Sequence, residues 1–190
     1  MKIVLSRHGE SVYNTKNMLG GDSSLTQNGI NYATNLGNFI EKTDWFPRKC
    51  ICSTKKRVQE TFDIIKDKMK TVVSTNELNE LNAGICENLT YTEFYQFYPN
   101  EFTQRYKNKL TYKYPEGESY IDLIKRVENI AQDIKKENED VFIISHQAIT
   151  RALMVHFITE LDINQVPHID IPLNTLIVLE NGKQIDLIPL

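Results

Sequence analysis

Two stretches of the chain place chemically versatile side chains directly after apolar runs. VLSRHGE brings Arg7, His8, Gly9 and Glu10 to the end of one run, and IISHQAITR brings His146 to the end of another. A neutral imidazole is a competent nucleophile that forms covalent intermediates. It suits a dianionic phosphate, which repels anionic nucleophiles. The planar fork of an arginine matches phosphate oxygens two at a time. Arginines beside a histidine also lower its pKa and keep its lone pair free near neutrality. Arg57, one helical turn beyond the end of CICS, adds a second guanidinium. Phosphoryl transfer depends mainly on positioning and charge stabilisation, which this set supplies. The departing alkoxide then needs a proton, and Glu80 in NELNELNAG is the candidate acid. Zinc is a competing use for two histidines, but arginines beside a dication are unfavourable and no third ligand is apparent. His156 reads as a helix or core histidine, and His168, beside Pro167, as a loop residue.

The elements that must position these residues follow from the apolar patterning. Met1–Ser6 and Val141–Ser145 read as buried parallel strands, because their apolar runs are continuous rather than alternating. Cys50–Ser53 is a third, shorter strand. A helix opens at Thr26 with Ile30, Ala33, Leu36 and Ile40 on its inner stripe. A second spans about 55–69 and carries Val58, Phe62, Ile65 and Met69, and a short VVS strand follows. Residues 76–118 form an irregular excursion with two short helices around Pro99, one opened by the capping box Thr90-x-x-Glu93. A long helix begins near Ser119 with Ile121, Ile124, Ala131 and Ile134 inward, and another spans Ala148–Thr159. Asn181-Gly182 between LIVLE and KQIDLI marks a hairpin. The expected fold is a three-layer α/β/α unit with a mostly parallel sheet and one antiparallel edge strand, one domain over 1–190. Ligands of such sheets sit beyond the carboxyl ends of the strands, so neighbouring strands would face His8 and His146 across one pocket.

Composition narrows the classes further. With 22 basic and 25 acidic residues the formal charge is −3, which argues against a strongly basic nucleic-acid binder but not against a local basic pocket. No apolar run approaches the ~18 residues of a membrane span. The three cysteines cannot all pair within one chain, and no secretory signal is visible, so a reduced, cytoplasmic protein is expected. Cys50 and Cys52 read as strand residues rather than metal ligands, since no second ligand pair follows at zinc spacing.

Arg7-His8-Gly9-Glu10 with a distal Ser145-His146 resembles the histidine phosphatase, or phosphoglycerate mutase-like, superfamily. RHGESVYN…GGDSSLT, NELNAGICENLTYTEF, YPNEF…R…K, YKYPEGESY and SHQAITR together resemble the fructose-2,6-bisphosphatase domain of bifunctional 6-phosphofructo-2-kinase/fructose-2,6-bisphosphatases, over nearly the whole chain and in order. The resemblance implies that His8 is the phosphorylated nucleophile and that Arg7, Arg57 and His146 hold the transferred 2-phosphate. Glu80 would be the general acid and then the base for water, with Asn14 and the Gly20 backbone contacting the same phosphate and nearby substrate. Tyr91, Arg105, Lys109, Tyr120, Gln147 and Arg151 would bind the sugar and its 6-phosphate. A substrate with two phosphates needs a second cationic set. Arg105 and Lys109 share a helical face if their segment is helical, and Lys113 is a further basic neighbour. Gly9 would let backbone approach the imidazole, and Glu10 would orient neighbouring groups.

The chain departs from the family's pattern in three places. Asn82 stands where the family commonly has an aspartate, which could shift the pKa of Glu80 or His8. Ser145 replaces a frequent cysteine. No G-x-x-x-x-G-K-[ST] of a kinase half occurs, so the expectation is a single-activity phosphatase or a fragment of a longer protein, with Met1 leading straight into the strand favouring the former. Bifunctional members associate largely through the kinase half, so a monomer is expected, with a separate kinase partner left open. The reaction implied is hydrolysis of fructose 2,6-bisphosphate to fructose 6-phosphate and phosphate, regulating glycolysis and gluconeogenesis, with no metal or other cofactor. The alternatives are a broader sugar-phosphate phosphatase, a phosphoglycerate mutase, or a non-enzymatic module that binds phosphorylated ligands.

Overall fold

The computed structural model describes residues 1–190. The strands are β1 (Lys2–Arg7), β2 (Lys49–Ser53), β3 (Thr71–Thr75), β4 (Val141–Ser145), β5 (Thr175–Glu180) and β6 (Lys183–Pro189), and they form one sheet in the order β3-β2-β4-β1-β5-β6. The first four run parallel. β5 runs against β1, and β6 folds back on β5 through Asn181 and Gly182, whose φ values of 52° and 75° suit a tight hairpin. All five residues of β4 are buried, as its continuous apolar sequence requires of a strand covered on both faces.

Helices cover both faces. One face packs on α2 (Gln27–Glu41) and α3 (Lys56–Ile65) through Val4, Phe142, Ile144 and both strand cysteines. The other packs on α6 (Tyr120–Arg126), α7 (Glu128–Lys135) and α8 (Gln147–Phe157) through Ile3, Leu5, Val141 and Ile143. A smaller core of Leu19, Ala83, Cys86, Phe94, Tyr112 and Tyr114 lies under the excursion, which carries α4 (Tyr91–Phe97) and α5 (Pro99–Lys107). The expected capping box at Thr90 and Glu93 opens α4. A one-turn helix, α1 (Val12–Thr15), follows the RHGE segment.

Three local expectations are corrected. Ile30 is 40% exposed, and Tyr32 takes its place on the inner face of α2. The inner stripe begins instead at Gly29, which is seated on the loop after β1, and Tyr32 exchanges a 2.6 Å hydrogen bond with Ser6. The helix begun at Ser119 is divided at Val127, where ψ is 0°, and it is Leu123, on the stripe of Tyr120, Ile124 and Val127, that lies in the core, with Ile121 half-buried. The helix after CICS ends at Ile65, followed by a 3-10 turn over Lys66–Lys68 that leaves Met69 extended.

Candidate active site

β4 lies between β1 and β2, so the strand ends converge. Arg7 is paired with Ser145, and the His8 amide extends the ladder by donating to the Ser145 carbonyl at 3.0 Å. His8 and His146 therefore leave adjacent strands side by side, with ring centroids 5.1 Å apart.

The His8 ring is held from both nitrogens. The Gly9 carbonyl, 2.7 Å from Nδ1, can only accept, so the proton is on Nδ1 and the lone pair on Nε2. Arg57 Nε donates to that lone pair at 3.0 Å. Burial, then Arg57 and Arg7, hold the His8 pKa well below the ordinary value, despite the opposing Gly9 bond. The ring is thus neutral with its lone pair on Nε2. Arg57 is itself fixed by the Gly21 carbonyl at 2.9 Å and by Asp22 at 3.5 Å.

The loop carrying His8 sits directly on α2. A Cβ on Gly9 would lie 2.4 Å from the Gly29 carbonyl oxygen, and one on Gly29 would lie 2.2 Å from that of Glu10. The role of Gly9 is therefore mainly this backbone-on-backbone seat, with its carbonyl steering the ring. The Gly9 amide donates to Thr61, and Glu10 accepts from the Thr26 hydroxyl at 2.6 Å.

A cavity of about 340 Å³ opens above His8. Twelve of the thirteen residues expected at the site line it, from Arg7 to Arg151. Its cations are Arg7, Arg57, Arg105, Lys109 and Arg151, against the single carboxylate of Glu80. Arg7 donates to the Ile171 carbonyl and Arg151 to that of Ile169, while Arg151 also donates to Tyr120 at 3.0 Å. Arg105 lies over Tyr91, 5.3 Å from the ring centroid, and hydrogen-bonds Tyr114. Lys109 donates to the Pro167 carbonyl at 2.8 Å. Burial, then Arg105 and Arg151, press its pKa down to about 8. The helical-face argument for Arg105 and Lys109 fails, because α5 ends at Lys107. Lys109 reaches the cavity from the following turn instead. Lys113 pairs with Asp122 at 3.3 Å and does not line the cavity.

His146 is the thirteenth residue and the exception. It is fully buried and does not form part of the cavity wall. Its Nε2 lies 2.9 Å from Ser53 Oγ. Ser53 donates to Asn79 Oδ1, which is fixed as an acceptor by the Thr54 amide. The hydroxyl proton is thus committed, so His146 donates through Nε2 and, when neutral, carries its lone pair on Nδ1. Burial, then Arg57 and His8, hold its pKa well below the ordinary value. His146 Nδ1 and Arg7 Nε are buried without a protein partner, although such atoms ordinarily have one.

Glu80 lies close enough to Arg7 and Arg57 to oppose the lowering of both their pKa values. Its carboxylate accepts from the Leu81 amide at 3.0 Å. Asn82 points away from the cavity, accepting from the Gly84 amide at 2.9 Å. Gly20, with φ +57°, packs on the Glu87 carboxylate, which bonds the Gly21 and Ala83 amides and ties the loop after α1 to the segment after Glu80. Among the excursion's tyrosines Tyr114 reads as packing, yet it lines the cavity and bonds Arg105, and the Ser53–Asn79 relay is not marked in the sequence. Their importance comes from long-range partners, which no local pattern marks. His156 bonds the Ile124 carbonyl and is the helix histidine expected.

Residues 3–184 match the family model of the Histidine phosphatase superfamily (branch 1). The chain is 39% identical over 177 residues to 6-phosphofructo-2-kinase/fructose-2,6-bisphosphatase of Caenorhabditis elegans, covering 93% of this chain and 38% of the relative. It is 37% identical to 6-phosphofructo-2-kinase/fructose-2,6-bisphosphatase 1 of Homo sapiens, covering 93% and 36%. The chain thus spans little more than a third of the length of these two relatives. Among solved structures, the alpha-ribazole phosphatase of Shigella flexneri superposes with a TM-score of 0.87 at 22% identity, covering 99% of this chain and 96% of that one, and shares the fold. Bacillus stearothermophilus YhfR gives 0.81 at 26% identity, covering 97% and 94%. No helix of the chain is long and apolar enough to cross a membrane. With the family match running from Ile3, in the strand that ends on Arg7-His8-Gly9-Glu10, to Gln184 in the last strand, the chain belongs to the histidine phosphatase superfamily, branch 1.

Proposed function

We propose that the chain hydrolyses the 2-phosphate of fructose 2,6-bisphosphate through a phosphohistidine, giving fructose 6-phosphate and phosphate. The observation that carries this reading is the pairing, in one cavity, of a neutral His8 flanked by arginines with a second cationic set of Arg105, Lys109 and Arg151. One phosphate occupies each set. His8 Nε2 attacks phosphorus and an N–P bond forms. The bond between phosphorus and the sugar O2 breaks, and Glu80 gives its proton to that oxygen. Arg57 transfers its Nε hydrogen bond from the imidazole to a phosphoryl oxygen, and Arg7 Nε finds its partner there. The bound phosphate dianion favours the His146 imidazolium, which then donates to this phosphoryl group from Nδ1. Water then attacks phosphorus, Glu80 takes a proton back, and the N–P bond breaks. Asn14 and Gly20 border the reacting phosphate, while Tyr91, Tyr120 and Gln147 bind the sugar and its second phosphate. No step calls for a cofactor. The reaction belongs to a single domain acting in the cytosol as a monomer, and it removes a regulator of sugar flux.

The experiment is phosphate release, with EDTA present, from fructose 2,6-bisphosphate, 3-phosphoglycerate and 2,3-bisphosphoglycerate, using wild type and His8→Ala. Release selective for the fructose ester and abolished in the variant is expected. Turnover of the glycerates alone refutes the substrate, and tight binding without any turnover makes the chain a binding module.

A further inference from the structure

We infer that Arg126, locked to Glu118, is the positioning residue that sets the aim of Glu80. The inference rests on the proposed reading of Glu80 as general acid. The Glu80 carboxylate bonds only the amide of its own neighbour, Leu81, in the protein. Its place in the cavity is therefore dictated by the backbone on either side, and that backbone lies in a segment without helix or strand, Asn79–Ala83, between two single 3-10 turns.

Arg126 and Glu118 grip this segment from both sides. The Arg126 guanidinium donates to Glu118 through Nε at 2.7 Å and a terminal nitrogen at 3.0 Å, the fork geometry that gives an arginine–carboxylate pair its directionality. Its remaining donors go to the carbonyls of Glu77 at 2.7 Å and Asn79 at 2.8 Å, with a weaker contact to Asn76. The same Glu118 carboxylate accepts from the Asn82 amide at 2.9 Å, and the Glu118 amide donates to the Asn82 carbonyl at 2.9 Å. The residue immediately before Glu80 is thus held by Arg126, and the second residue after it by Glu118. Neither side chain lines the cavity above His8. Both are only partly buried, at 25% and 20% exposure, so a small gain in burial does not account for a network that ends wholly on one loop. The anchor itself is rigid, since Arg126 closes α6, whose Leu123 and Ile124 lie in the core.

A proton donor must lie within hydrogen-bond reach of the departing oxygen, and small misplacements there are costly. A positioning role predicts a loss that depends on the leaving group. Arg126→Ala is expected to lower kcat on fructose 2,6-bisphosphate by roughly 10–100-fold, the scale of a misplaced acid, with KM changed less than about threefold. On an aryl phosphate, whose phenolate leaves without a proton, kcat stays within about threefold. In a Glu80→Gln background the same change adds less than about threefold, because the acid it aims is already gone. Glu118→Gln, which keeps one acceptor oxygen but replaces the other with a donor and loses the charged fork, repeats the selective pattern and serves if Arg126→Ala does not fold. Equal losses on both esters, or full additivity with Glu80→Gln, overturn the positioning role. If wild type is inactive on the fructose ester, or Glu80→Gln leaves it unaffected, the proposed function fails instead.

Discussion

Lys109 offers the sharpest test of the proposal that the cavity holds a second phosphate. Its ammonium sits among Arg105 and Arg151 in a partly dry pocket, and its pKa falls to about 8. A bound phosphate dianion reverses that balance and holds the proton on. Only the charged form therefore binds well, and the apparent dissociation constant scales as one plus ten to the power of pH minus pKa. With the pKa at about 8, affinity is almost unchanged at pH 7, halved at pH 8 and weakened roughly tenfold at pH 9. Lys109→Met removes the charged hydrogen bond outright. That costs about 1.5–3 kcal/mol, or roughly 10–150-fold in KM at pH 7. Because the group lies away from the reacting phosphorus, kcat should change little. The assay is steady-state hydrolysis of fructose 2,6-bisphosphate from pH 6.5 to 9.5 in both proteins. Wild-type KM should climb towards that of the variant, whose own KM stays flat over the range where Lys109 titrates. A wild-type KM that stays flat to pH 9.5, or a variant whose KM climbs in parallel, refutes the reasoning.

Three further outcomes are expected. His8 and His146 are both held neutral, with pKa values below the ordinary 6.5, so below that pH the unfolded chain binds protons that the folded chain refuses. Stability then falls as pH drops, by up to about 1.4 kcal/mol per pH unit for each histidine; urea unfolding at pH 7, 6 and 5 should show a shallower decline in His8→Asn. Gly9→Ala forces a methyl against the Gly29 backbone at 2.4 Å and should cost more than about 2 kcal/mol, read as a lowered urea midpoint, whereas an unchanged midpoint would mean the seat is yielding. Asn82→Asp keeps the acceptor for the Gly84 amide and stays outside the cavity, so kcat should stay within about threefold of wild type; a tenfold change would show that the charge reaches Glu80.

The parts of the molecule readable from sequence are those decided locally. The buried runs Ile3–Ser6 and Val141–Ser145 announce their strands, and the residues after them fall at the ligand edge because parallel strands share one carboxyl end. What escaped reading was decided by distant partners. Tyr32 displaces Ile30 because Gly29 must meet the Gly9–Glu10 backbone. The spacing of Arg105 and Lys109 puts them on one face only if the segment is helical, and the helix ends at Lys107, so Lys109 reaches the cavity from beyond it. The end of its strand puts His146 beside His8 at the ligand edge, but its ring bonds Ser53 and stays outside the cavity wall. Arg126 resembles any solvated helix cation, since besides Glu118 it bonds main-chain carbonyls 47 to 50 residues away.

The pairing of β1 with β4 also bears on how the molecule comes into being. Ile3 lies opposite Val141 and Arg7 opposite Ser145, so the centre of the sheet is closed by segments 138 residues apart. Ordering so long an intervening chain delays such contacts during folding. His8, His146 and Arg57 cannot come together until that closure is made. A form with only α2 and α3, or only the hairpin of β5 and β6, would hold secondary structure without bringing His8 and His146 together. Regain of turnover therefore marks the closing of the sheet itself, a stage that helix content alone does not register.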